Sequence, residues 1–141
     1  MKKELWLLSV LSIIIIILIC ILIFAPAKKT NPPVVNGITI TSPKANAEIF
    51  PPLKITGEVT GNGWAGFEGQ VGRVELLDSN GTTVASGPLT STTDWMKFPV
   101  NFETILDFDA AAGAGTLVFH NENPSGMSEK DKTFILPVKI K

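Results

Sequence analysis

The chain has one cysteine, one histidine and no tyrosine. The cysteine, Cys20, lies inside an apolar run, so everything beyond that run is free of thiols. This excludes a disulfide framework, a cysteine nucleophile and a thiolate metal site from the rest of the protein. A lone His120 supplies neither a zinc site nor, without an adjacent serine, a hydrolytic base. Excess positive charge is also lacking, with 12 Lys+Arg against 13 Asp+Glu. No basic field exists to hold nucleic acid. Beyond Phe24 there is no long apolar run, no amphipathic helix and no internal repeat; DAAAGAG at 109–115 is too short and glycine-laden for a helix.

What is present is concentrated at the start. Leu5–Phe24 is twenty residues without a charge. At about 1.5 Å per residue it makes a helix of roughly 30 Å, the thickness of a bilayer's hydrocarbon core. The mean hydropathy of +0.29 owes its sign to this segment. Met1-Lys2-Lys3 before it and Ala25-Pro26-Ala27 after it have the form of a signal peptide. A signal core, however, runs about 7–15 apolar residues, and the expectation is an uncleaved membrane anchor. Ile19 before Cys20 and Ile21–Phe24 after it argue against a lipidated cysteine. Lys2 and Lys3 face Lys28 and Lys29 across the helix, so positive charge alone leaves the orientation tied.

From Ile38 the chain changes to short alternating runs punctuated by Gly, Pro, Asn and Asp, the pattern of an all-β sandwich. Ile38–Ser42 reads as a first strand. Leu53, Ile55 and Val59 alternate with polar residues as a second. Val74 and Leu76 mark a third, with Gly72 a candidate bulge. Asp78-Ser79-Asn80-Gly81 reads as a hairpin turn in which Asn80 and Gly81 take positive φ. Thr83–Ser86 follows, then Phe98, Val100, Phe102, Leu106 and Phe108 in one phase, with Pro99 demoting the start of that run to an edge. Thr116–His120 and Thr133–Ile140 complete seven strands. The expected organisation is an anchor over 1–27, a polar proline-bearing linker over 28–37 and an immunoglobulin-like seven-stranded antiparallel sandwich over 38–141.

Three stretches recur in an ordered set. They are Thr41-Ser42-Pro43 with Phe50-Pro51-Pro52-Leu53-Lys54-Ile55-Thr56-Gly57; Trp64-Ala65-Gly66-Phe67-Glu68-Gly69 with Val74–Gly81; and Asp94-Trp95-Met96 with Gly115–Val118, Asn123-Pro124-Ser125-Gly126 and Leu136-Pro137-Val138. Together they resemble the bacterial spore-germination immunoglobulin-like domain over about Ile38 to Ile140. The resemblance implies a β-sandwich on the outer side of a bacterial cytoplasmic membrane, which makes the expected topology N-in and C-out. It implies neither sporulation nor a particular ligand.

The most suggestive residues for binding are in Gly61–Gly69, GNGWAGFEG, where glycines flank Trp64 and Phe67. An exposed aromatic on such a loop can stack on a sugar or anchor a protein partner; alternatively Trp64 folds back over the core. Trp95 carries the same pair of readings, and Glu68 can serve a ligand, a backbone amide or Arg73. Asp107 and Asp109 with Glu122, Glu129 and Asp131 supply oxygen ligands from two loops, a pattern open to calcium although without EF-hand spacing. The expectation is a non-catalytic module with no cofactor and no metal. It would contact the membrane through Leu5–Phe24 and bind an envelope protein or, as the alternative, a glycan or peptidoglycan through the loop around Trp64.

Overall fold

The computed structural model describes Lys3, Val34–Val35 and residues 37–141. The helix expected over Leu5–Phe24 therefore lies outside the described residues. Among the described residues no helix is long and apolar enough to cross a membrane.

Among the described residues nine strands form: β1 (Val34–Val35), β2 (Ile38–Ser42), β3 (Glu48–Ile49), β4 (Leu53–Val59), β5 (Gln70–Leu77), β6 (Thr83–Ser91), β7 (Val100–Leu106), β8 (Gly113–Asn121) and β9 (Thr133–Ile140). They are hydrogen-bonded in one continuous sheet in the order β1-β2-β4-β7-β6-β5-β8-β9-β3. The sheet curls so that β2-β4-β7 and β5-β8-β9 turn their apolar faces onto one core. Ile40, Ile55 and Phe102 from one side and Val74, Leu117, Phe119 and Leu136 from the other belong to the same buried cluster. The rings of Phe119 and Phe134 pack tilted, with centroids 5.8 Å apart.

The all-β, immunoglobulin-like class expected from the alternation is present, with three differences in detail. The strand count is nine rather than seven, because β1 and β3 have two residues each, too few for alternation to register. Val34–Val35 falls within the stretch read as linker and pairs antiparallel with β2. The sandwich is not wholly antiparallel either, since β3 runs parallel to the end of β9. The chain thus leaves one layer after β2 and joins the edge of the other. The two layers are also continuous through β6, whose Thr90 and Ser91 pair with β7 while its earlier residues pair with β5.

The strand expected over Thr83–Ser86 continues through Gly87-Pro88 to Ser91. Pro88 lies where β6 has only β5 as partner, so its missing N–H interrupts no second ladder. Pro99 does set a limit: β7 begins at Val100, leaving Phe98 outside the sheet and exposed although it shares the strand's phase. The bulge at Gly72 is present. The β5–β6 register shifts there, and a Cβ at Gly72 would sit 2.1 Å from the His120 carbonyl oxygen. The turn after β5 differs in detail. Gly81 alone takes positive φ (79°), and the Asp78 carboxylate accepts the Asn80 and Thr82 amides at 2.8 and 2.9 Å. This is a type I turn closed by one left-handed glycine, and it leaves Asn80 in an ordinary conformation.

Candidate interaction surface

One end of the sandwich is built from the β4–β5 loop (60–69), the β6–β7 loop (92–99) and the β8–β9 loop (122–132). The first is two tight turns in succession. Trp64 donates its amide to Gly61 O at 3.0 Å around Asn62 (φ 54°) and Gly63 (φ 90°). Phe67 and Gln70 exchange amide bonds of 2.7 and 3.0 Å around Glu68 (φ 49°) and Gly69 (φ 86°). Both turns have two positive-φ centres, the type I′ geometry. The double reversal directs the Trp64 indole into the core, where it is 2% exposed. This corrects the expectation that Trp64 offers a face to a sugar. Phe67, at the next turn, stays exposed, and Glu68 stands exposed beside it. Arg73 pairs with Glu75 rather than with Glu68.

The other two loops are fastened to the first. Gly66 lies against Trp95, where a Cβ would meet the Trp95 carbonyl oxygen at 2.3 Å. Ser91 donates both its amide and its hydroxyl to Gly69 O, each at 2.9 Å. Trp95 is half-buried and packs on the core; Met96, next to it on a turn closed by the Asp94 carboxylate, is 75% exposed. The Asn121 side chain joins the first loop to the third, donating to Gly63 O at 2.6 Å and Lys130 O at 3.0 Å and accepting the Lys132 amide at 2.8 Å. Asn123 is committed likewise, to Met127 O and the Asp131 carboxylate. The NENPSG stretch is therefore a self-bonded scaffold, its Asn121, Asn123 and Ser125 side chains spent on holding shape.

Seven large apolar side chains are exposed among the described residues, and four of them sit on these three loops: Phe67, Met96, Phe98 and Met127. Sequence reasoning found Phe67 and missed the other three. Phe98 was assigned to the core by its phase, and the two methionines carried no pattern.

The carboxylates considered for calcium are not brought together. Asp107 and Asp109 follow β7, whereas Glu122, Glu129 and Asp131 follow β8 at the opposite end. The nine-residue β8 puts about 30 Å between the two loops. Among the described residues no group of three potential ligands forms a metal site.

His120 is half-buried on β8, with Nε2 at 3.5 Å from the Glu75 carboxylate and no hydrogen bond of its own. The adjoining cavity of about 230 Å³ is lined by Arg73, Asn121, Asp131, Lys132 and Thr133, with no serine to serve as nucleophile. Arg73, hydrogen-bonded to Glu75, holds the Glu75 carboxyl below its usual range against the opposing cost of burial, with a lesser contribution from the nearby His120.

A curled, mostly antiparallel sheet with one core, a strand shared between its layers and loops gathered at one end defines an immunoglobulin-like module, a class that is generally non-catalytic. The chain belongs to the family of the immunoglobulin-like domain of bacterial spore germination, whose family model matches residues 37–128. The match takes in all three loops except the last turn of the third, while β9 lies beyond it, paired with β8 along its length. Comparison with curated proteins and with solved structures finds no match.

Proposed function

We propose that this protein is a non-catalytic module anchored by Leu5–Phe24 in a bacterial cytoplasmic membrane, with its immunoglobulin-like domain outside the cytoplasm. There it binds another envelope protein through the loop end. The observation that carries this reading is the concentration of Phe67, Met96, Phe98 and Met127 on three mutually bonded loops. Single exposed apolar residues are ordinary, but several on one rigid end form the kind of patch that marks a protein contact. The glycan reading loses the Trp64 indole and now rests on Phe67 and Glu68 with the half-buried Trp95 of the neighbouring loop, and is the weaker of the two.

Site-specific photo-crosslinking of the full chain in its membrane tests this. A benzophenone side chain at Met96 or Phe98 is expected to give one discrete adduct with another protein. The same group at Ile105, exposed on the outer face of β7, is expected to give none. Equal labelling at all three positions, or none at any, overturns the assignment. Protection of the C-terminal domain from protease added to intact spheroplasts would separately overturn the topology.

A further inference from the structure

The chain's sulfur is confined to Met1, Cys20, Met96 and Met127. Beyond the apolar run, Met96 and Met127 are therefore all of it. The buried cluster is built from Ile, Leu, Val, Phe and Trp and uses no methionine. Both thioethers stand instead at the loop end, on the β6–β7 and β8–β9 loops, 75% and 49% exposed. Leucine or phenylalanine would supply the same apolar surface there. A thioether differs from both in turning polar under mild oxidation.

The local bonding separates these side chains from the fold. The Met96 amide donates to the Asp94 carboxylate at 3.0 Å. The Met127 carbonyl accepts the Asn123 side chain at 2.8 Å and the Lys130 amide at 2.9 Å. Neither backbone position depends on what its thioether touches, and neither side chain belongs to the core or to the residues packed on it. The two loops are fixed to the first by Gly66 against Trp95 and by Asn121 bonded to Gly63. A change at either sulfur is thus a change of surface and not of shape.

We propose that Met96 and Met127 form an oxidation site that switches the loop end from an apolar, binding state to a polar, released one. The inference rests on the loop-end binding proposed above. The oxidant is a hydroperoxide. One of its oxygens passes to the thioether sulfur as the O–O bond breaks. Sulfur gives up two electrons, an S–O bond forms, and hydrogen peroxide leaves as water. Reversal takes a dithiol such as that of a methionine sulfoxide reductase: the oxygen leaves as water while the two thiols become a disulfide. The sulfoxide oxygen is a hydrogen-bond acceptor. Covered by an apolar partner with no donor opposite, it carries the desolvation penalty of an unpaired polar group. Phe67 and Phe98 hold no sulfur, so the response of the patch falls to the two methionines.

The test uses the full chain in its membrane, with a benzophenone side chain at Phe98 and dilute hydrogen peroxide. Peptide mass analysis is expected to show one added oxygen first at Met96 and then at Met127, in the order of their exposure. The thermal melt of the domain should stay unchanged, while adduct yield falls about tenfold, the scale set by one unpaired buried polar group. Reductases for both sulfoxide epimers, supplied with a dithiol, should restore the yield. For the combined variant Met96→Leu, Met127→Leu, the yield is compared before and after peroxide, and whatever its starting value it should not change. A fall like the parent's in that variant overturns the proposal, because oxidation then acts on the partner or on another residue. So does a lowered melt in the oxidised parent, a methionine pair that resists peroxide, or sulfoxide at both positions with yield intact. Absence of any adduct before peroxide overturns the loop-end reading and this proposal with it, so the two failures are told apart.

Discussion

Trp64 sits between two turns whose central residues all have positive φ, and the turns decide where its indole goes. Its burial turns a residue that looked like a ligand platform into part of the core. Replacing a buried tryptophan by alanine costs about 3–5 kcal/mol in lost burial and residual cavity. Trp64→Ala is thus expected to lower the denaturant midpoint sharply, and any accompanying loss of binding would follow from unfolding. Glu68 behaves oppositely. A left-handed conformation costs a side-chain-bearing L-residue roughly 1–2 kcal/mol, and asparagine tolerates it better. The first turn of the same loop already uses Asn62-Gly63. Glu68→Asn is accordingly expected to stabilise the domain by about 0.5–1 kcal/mol, read as a raised melting temperature. If Glu68 also touches the partner, the stabilised variant should bind more weakly, the trade-off expected where strain is kept for function.

Elements show which features local pattern can carry. Strands β4, β5, β8 and β9 were legible because one face is buried and the other wet, so alternation reports them directly. β3 was not, since its two residues owe their strand geometry to the end of β9, a partner about ninety residues away in sequence. Phe98 failed for a related reason: it has the right phase, but the β4–β7 ladder stops at Val59–Val100. The loop end was half legible, its glycines announcing turns without saying which way Trp64 or Met96 would point. Gly57 gives the element-scale prediction. It pairs with Phe102 across β4 and β7, and a Cβ there would meet the Phe102 ring at 2.6 Å and the Thr39 carbonyl oxygen at 2.3 Å. Backbone on one side and a buried ring on the other leave no room to yield. Gly57→Ala is expected to destabilise by about 1–3 kcal/mol through overpacking, measured by chemical denaturation. Gly81→Ala, with nothing within 4 Å but a φ of 79°, should cost about 1 kcal/mol from backbone strain alone.

For the molecule as a whole, acid is the condition that loosens both the sheet face and the hairpin that borders it. Glu75 is held below the ordinary carboxylate range first by its hydrogen bond to Arg73, and Asp78 first by the Thr82 amide, with Asn80 and Gly81 assisting. A carboxyl with a lowered folded-state pKa binds its proton more readily in the unfolded chain. Its contribution to stability is therefore complete above the unfolded value and is lost as pH falls through the folded one. The melting temperature is thus expected to be flat down to about pH 4 and to fall below it. Asp78→Asn and Glu75→Gln should each lower the neutral-pH melting temperature and flatten the acid limb, and the double variant should flatten it further. The two residues differ in what else they control. Protonating Asp78 frees only the turn amides, whereas protonating Glu75 leaves Arg73 and His120 without the carboxylate between them.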